Sequence, residues 1–305
     1  MSGVYLEDLG AKAQPLLELA GRILGRRLEG QAERFCDNDG GYSRRYNVYK
    51  LSSPKGEYVL KKSDSREVWV YEKLLRGRGF TVPECFGHTT EEGEVWLLLE
   101  HISGPDLRRF TREAAPAIAG TLSKIQNVFW KSGADPGRFL RYRERIEKRA
   151  ACLRDLPELA KAYRVFLKRQ ESCPRTLSSG DLLQLNCLLN KGKAYIIDWG
   201  FGGVMPYSLD PARLIAHGTR EPEPDGFPFY MDDELRRTFL RAHYEGLIKK
   251  PGWDEYIFDI TLSALNEYVE FLENDLNDTQ MSGEEIRSGL YCRRAHEAAR
   301  IILER

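Results

Sequence analysis

Gly180-Asp-Leu-Leu-Gln-Leu-Asn186 sets an Asp and an Asn five residues apart across a short loop. Ile196-Ile-Asp-Trp-Gly200 then places a second Asp twelve residues beyond the Asn, at the end of an apolar run. Phosphoryl transfer needs this set of groups. One carboxylate orients an acceptor hydroxyl and takes its proton, while an Asn oxygen and a second carboxylate hold Mg²⁺ on the phosphates. On that reading Asp181 is the base, and Asn186 and Asp198 are the metal ligands. The same residues also read as a polar turn capping a helix, followed by an unrelated Asp at a strand end. Spacing alone leaves both open.

Positioning such groups takes a scaffold, and the chain's texture supplies one. Tyr46-Asn-Val-Tyr-Lys-Leu51 and Glu57-Tyr-Val-Leu-Lys61 read as strands joined by a Ser-Ser-Pro-Lys-Gly turn. Val59 and Lys61 share a face of the second strand by its period of two. Arg66 to Leu75 reads as a helix with Glu67 in its first turn. A strand lysine held by a helix glutamate is a device for fixing nucleotide phosphates. Lys62 competes with Lys61 for that role, Glu72 competes with Glu67, and two solvated surface charges are the plainer alternative. Asp37-Asn-Asp-Gly-Gly-Tyr-Ser43 precedes a strand, so Gly40, Gly41 and Ser43 are candidates to turn backbone N–H groups toward phosphate. It is not GxGxxG and reads equally as a plain turn.

Upstream, Leu6 to Leu24 carries apolar side chains at helical spacing. Val95-Trp-Leu-Leu-Leu-Glu100 reads as a buried strand, broken by Ser103-Gly-Pro-Asp106. Beyond the break, helices are predicted near 107–131, 137–152, 156–170, 232–247, 254–276 and 283–303. One β-rich insert near 176–204 interrupts them, with a hairpin from Asn186 to Asp198 closed by Asn190-Lys-Gly-Lys. The expected fold is α+β and two-lobed. Residues 1–104 form an N-terminal lobe with a leading helix and a small antiparallel sheet of about five strands, and residues 105–305 a larger helical lobe. A hinge is expected near 100–106.

Composition narrows the function classes. The 46 basic and 46 acidic residues cancel, so no global field favours nucleic acid. No apolar run approaches the ~18 residues of a membrane span, and the N-terminus lacks the basic start and apolar core of a signal peptide. The six cysteines include no CxxC pair and sit in no metal-ligand register with histidine, which points to scattered thiols and a cytoplasmic protein.

Taken in order, these segments resemble the aminoglycoside phosphotransferase and choline kinase family of the protein-kinase-like fold. Ser179-Gly-Asp-Leu-Leu-Gln-Leu-Asn186 is similar to its His-Gly-Asp-x-x-x-x-Asn loop except at the first position. Ile197-Asp-Trp-Gly200 resembles its metal-binding Asp motif, Asp210-Pro-Ala-Arg-Leu214 its Asp-Leu-Ala segment, and Leu97-Leu-Leu-Glu-His-Ile-Ser-Gly104 its hinge. Arg66-Glu67 and Thr81-Val-Pro83 resemble the first-lobe helix and the strand after it. The resemblance spans roughly 30–220. It implies transfer of the ATP γ-phosphoryl group, with Mg²⁺, to a hydroxyl of a small molecule. ATP would lie between the lobes with adenine edge-on to the backbone of Glu100 and Ile102, and the helical lobe would form the acceptor site. Two departures bear on it. Ser179 replaces the family's loop-bracing His, which implies weaker support, and Gln126 replaces a His that often ends the preceding long helix. Ser179 therefore keeps a rival reading open: a pseudokinase, or a spore-coat-like structural protein of the same fold.

Two charged stretches stand outside these motifs. Residues 251–286 hold ten acids and no Lys or Arg, while Phe258, Leu262, Leu265, Val269, Leu272 and Leu276 form one helical stripe. Asp259, Glu270 and Glu273 fall at its edge, where they would favour a cationic acceptor if they line a cleft and would otherwise form a solvated face. Arg138 to Arg149 is basic and reads as a solvated helix with i,i+4 pairs rather than as an RNA contact.

Overall fold

The structure is a computed structural model and describes residues 3–39, 42–219, 229–278 and 281–305. Gly40 and Gly41, from the turn expected to cover phosphate, lie outside the described residues. The chain divides into two compact units, Met1–Ser103 and Gly104–Arg305.

The first unit is built on an antiparallel sheet of six strands: β1 (Gly3–Asp8), β2 (Gln31–Asp39), β3 (Tyr42–Ser53), β4 (Gly56–Ser63), β5 (Cys85–Glu91) and β6 (Glu94–Glu100), in the order β1-β2-β3-β4-β6-β5. The predicted hairpin is β3–β4. It closes at Ser53 opposite Gly56, with the Ser53 hydroxyl accepting from the Lys55 N–H at 3.2 Å. Helix α1 (Gln14–Leu24) covers the sheet, burying Leu17 and Ala20 against Leu51, Leu60 and Leu98. Pro15 suits its first turn, and Gly25, at φ +64°, ends it. Helix α2 (Ser65–Trp69) starts where the Asp64 carboxylate accepts from the Glu67 N–H at 2.8 Å, and runs on into a wider turn, Val70–Leu75.

The second unit is mainly helical: α3 (Ala114–Val128), α4 (Pro136–Arg149), α5 (Pro157–Gln170), α6 (Leu209–Ala216), α7 (Asp233–Gly246), α8 (Trp253–Asn277), α9 (Gly283–Ser288) and α10 (Leu290–Leu303). Two short antiparallel ladders are set among them. β7 (Arg175–Ser178) pairs with β10 (Gly203–Pro206), and β8 (Cys187–Asn190) pairs with β9 (Lys193–Ile196). The stripe Leu262, Leu265, Val269 and Leu272 of α8 packs with Ile146, Phe166, Leu209 and Ala299, each side chain adding about 1.5–3 kcal/mol on burial. Leu276, the last residue of that stripe, is exposed.

Three boundaries differ from expectation. Leu6 belongs to β1, opposite Phe35, because the edge of β2 offers a ladder that an isolated helical turn cannot match. Helix α3 begins at Ala114 rather than near 107. The Leu107 and Phe110 N–H groups donate to the carbonyls of Gln184 and Tyr230, so this stretch bonds to distant chain instead of to itself. The last helix is two helices, broken at Gly289, whose backbone is extended. The six cysteines are free thiols, and no helix among the described residues is long and apolar enough to cross a membrane.

Candidate active site

The β7–β10 ladder places Ser178 opposite Gly203, so the loop leaving β7 and the loop entering β10 run side by side. At the turn, Gly180 has φ +75°, and a Cβ there would stand 2.4 Å from the Phe201 carbonyl oxygen. Only glycine satisfies both constraints. The Phe201 carbonyl is itself held by Arg138, whose Nε and Nη2 donate to it at 3.0 and 2.7 Å.

Beneath this turn lies Asp210, fully buried at the start of α6. Its Oδ1 accepts from the Ser178 hydroxyl at 2.6 Å and the Gly180 N–H at 3.2 Å, and its Oδ2 from the Ser179 N–H at 2.8 Å. The Ser179 hydroxyl lies 3.3 Å from Oδ1 as well. Burial raises the Asp210 pKa, and these bonds oppose the rise. The loop is thus braced by a carboxylate and two serines. Sequence reading noted the Asp210 segment but not this contact, which depends on a fold that brings residue 210 under residue 179.

The brace presents Asp181. The Asn186 Nδ2 donates to the Asp181 carbonyl at 2.7 Å and to its Oδ2 at 3.2 Å, which turns the Asn186 Oδ1 the other way. The Ile197 N–H donates to the Asn186 carbonyl at 3.0 Å, and Cys187 pairs with Ile196. The β8–β9 hairpin therefore delivers Asp198 next to Asn186's backbone partner. Asp198 sits in the left-handed region at φ +58°, a conformation rare outside glycine, and opens a tight turn in which the Gly202 N–H donates to the Trp199 carbonyl at 2.8 Å. An amide oxygen and a carboxylate are hard donors of the kind Mg²⁺ takes when phosphates and waters complete its shell. Asn186 and Asp198 carry donors of that kind and are the residues that could hold such an ion.

In the first unit, Lys61 Nζ donates to Glu67 Oε1 at 2.9 Å. Glu67 is buried, and its Oε2 accepts from the Ser63 hydroxyl at 2.6 Å. The competing residues are engaged elsewhere, Lys62 with Glu94 and Glu72 with His88. Of the other expected nucleotide contacts, Ser43 lies in β3 and Glu100 ends β6, its N–H donating to the Glu84 carbonyl at 2.8 Å. The buried Ile102 follows, and its backbone N–H donates to no described residue.

The acceptor residues expected on the acidic stretch are placed otherwise. Asp259 is 1% exposed. It is buried in a two-oxygen ion pair with Arg169, at 2.7 and 2.8 Å, and accepts from the Tyr207 hydroxyl at 2.9 Å. Glu270 and Glu273 pair with the buried Arg149 at 3.0 and 3.2 Å. These cations come from α4 and α5, outside the acid-only window, so a linear count of charge overstated the free charge in space. Arg149 is also the buried end of the helix expected to be solvated throughout, while Arg143 makes the expected i,i+4 pair with Glu147.

The family model described as the phosphotransferase enzyme family matches residues 35–256, well over half of the chain and every residue of the loop, hairpin and clamp just described. The chain belongs to that family. A sequence search of curated proteins gave no match. Among solved structures, this family member is similar in fold to a candidate fructosamine-3-kinase from Haemophilus somnus. That match has a TM-score of 0.56 and 12% identity, and covers 94% of this chain and 96% of that one. A choline/ethanolamine kinase family protein from Mesorhizobium loti gives a TM-score of 0.54 at 13% identity, with coverage of 84% and 90%. Aminoglycoside phosphotransferase APH(4)-Ia, solved in ternary complex with AMP-PNP and hygromycin B, gives 0.51 at 15% identity, with 90% of each chain covered.

Proposed function

We propose that this phosphotransferase family member is a cytoplasmic enzyme that moves the γ-phosphoryl group of ATP to a hydroxyl of a small molecule. The observation that carries the reading is the clamp of Asn186 on Asp181, which fixes a carboxylate on a braced loop and leaves the Asn186 amide oxygen off Asp181, while the Asn186 backbone pairs with Ile197, the residue before Asp198. Residues 1–104 would serve the nucleotide: Lys61, oriented by Glu67, binds phosphate oxygens, and the Glu100 carbonyl and Ile102 N–H face the adenine edge. Residues 105–305 would supply the base and the acceptor site. Asp181 takes the proton of the acceptor hydroxyl as its oxygen bonds to the γ-phosphorus, and the bond from phosphorus to the β,γ-bridging oxygen breaks to release ADP. Asn186 and Asp198 would hold Mg²⁺, which neutralises charge building on the phosphate oxygens.

The rival reading of a pseudokinase or structural protein rested on Ser179. Its N–H and hydroxyl both reach Asp210, so the loop has the support that the missing histidine would have given, and this favours an active enzyme. The proposed acceptor is a hydroxyl compound of unassigned charge, because Asp259 is engaged by Arg169, and Glu270 and Glu273 share Arg149, which removes the ground for preferring a cation.

Thermal unfolding with and without Mg-ATP separates the readings. Nucleotide at a hundred times its Kd should stabilise the fold by about 2.7 kcal/mol. A clear rise in Tm is expected, followed by ADP release when hydroxyl compounds such as aminoglycosides, choline and sugars are added. No shift with any nucleotide would contradict the proposal and favour the structural protein.

A further inference from the structure

Arg213 was not singled out by sequence reading, yet it touches the reacting carboxylate. It lies one turn after Asp210 on α6, so both side chains point toward the loop 178–181. Its Nε and Nη2 donate to Asp181 Oδ1 at 2.8 and 2.7 Å. Its Nη1 donates to Glu267 of α8, which is 1% exposed. One guanidinium fork thus joins the catalytic loop to the longest helix of its unit. Burial disfavours the charge on both partners. Their mutual attraction outweighs it, raising the Arg213 pKa and holding Glu267 below the usual carboxylate range, so both stay ionised.

We propose that Arg213, anchored by Glu267, is the positioning residue that selects which oxygen of Asp181 acts as the base. The inference rests on Asp181 being that base. A free aspartate samples a broad, roughly two-fold χ2 distribution, presenting either oxygen in turn. Here Oδ1 is occupied by two N–H groups of one rigid fork, and Asn186 Nδ2 reaches Oδ2 at 3.2 Å. The carboxylate plane is fixed, and Oδ2, with its single long bond, is the oxygen left for the acceptor proton. Arg213 stays protonated and transfers nothing. Glu267 acts only through Arg213: it holds the fork at the angle that puts Nε and Nη2 on one oxygen.

The test is steady-state turnover of Mg-ATP, with water as acceptor and with any compound of the panel above that is phosphorylated. It compares the parent, Asp181→Asn, Arg213→Gln, Glu267→Gln and the double variant Arg213→Gln/Glu267→Gln. The double variant removes both charges, so no buried carboxylate is stranded if Arg213→Gln alone fails to fold. Arg213→Gln and the double variant should lower kcat by about ten- to a hundredfold with the nucleotide KM within about twofold of the parent, as expected for lost alignment rather than lost binding. Glu267→Gln should lower kcat in the same direction, and adding it to Arg213→Gln should cost nothing further. Parental kcat in the double variant, while Asp181→Asn is inactive, would overturn the role of Arg213 and leave the function intact. Equal losses that multiply would also overturn it, since Glu267 would then act independently. Turnover by Asp181→Asn at the parental rate, or no turnover by the parent, would instead overturn the base assignment itself, and the inference with it.

Discussion

His243 is fully buried between Gln126 and Tyr256, its Nε2 2.9 Å from the Gln126 amide oxygen and its Nδ1 2.8 Å from the Tyr256 hydroxyl. Gln126 Nε2 in turn donates to the Tyr207 carbonyl at 2.9 Å, tying α3 to the chain just after β10. Burial depresses the His243 pKa from 6.5 to about 3. The folded protein therefore keeps this imidazole neutral where the unfolded chain protonates it. Its contribution to stability is complete above about pH 6.5 and is lost as the pH falls toward 3. One such proton steepens the loss of unfolding free energy by up to about 1.4 kcal/mol per pH unit. Urea unfolding at pH 7, 6, 5 and 4 should show a shallower slope for His243→Gln than for the parent; equal slopes would refute the assignment. Sequence alone marked Gln126 as a substitution but could not show that a histidine from α7 meets it, since that pairing spans 117 residues.

At the scale of elements, the loop between β7 and β8 is built by neighbours remote in sequence. Its motif was legible because Asp181, Asn186 and Asp198 lie close along the chain. Its supports were not, because Asp210 and Arg213 reach it from α6, Glu267 of α8 holds Arg213, and Arg138 of α4 holds the Phe201 carbonyl beside it. The same contrast holds for the fold. The β3–β4 and β8–β9 hairpins carry their signals in local turns, whereas β1 is set by a ladder with β2 and the start of α3 by bonds to residues 184 and 230. The brace makes a separable prediction. Asp210→Ala strips the acceptor from the Ser179 N–H and the Ser178 hydroxyl in a buried place. Losing a buried partner costs about 1–3 kcal/mol per stranded group, so denaturant unfolding should report a loss of about 2–5 kcal/mol. A loss under about 0.5 kcal/mol, the range of an inert surface change, would show that the loop holds its shape without Asp210.

For the molecule as a whole, the balanced net charge supplies no global field toward nucleic acid and does not name the acceptor. The acid-only window 251–286 is the instructive case, since five of its ten acids, Glu255, Asp259, Glu267, Glu270 and Glu273, pair with arginines 149, 169 and 213 that only folding brings to it. What the chain presents, once those pairs are made, is one carboxylate on a braced loop, two hard oxygen donors after it and a lysine fixed by a buried glutamate. The central claim is that this set moves a phosphoryl group. ³¹P NMR of Mg-ATP with the hydroxyl panel, for the parent and Asp181→Asn side by side, tests it most directly. The parent should convert the γ-phosphate resonance into a phosphomonoester with one ADP formed per transfer, while Asp181→Asn still binds nucleotide but forms product about a hundredfold more slowly or not at all. A phosphomonoester formed equally fast by both proteins, or by neither with any acceptor, would contradict the account.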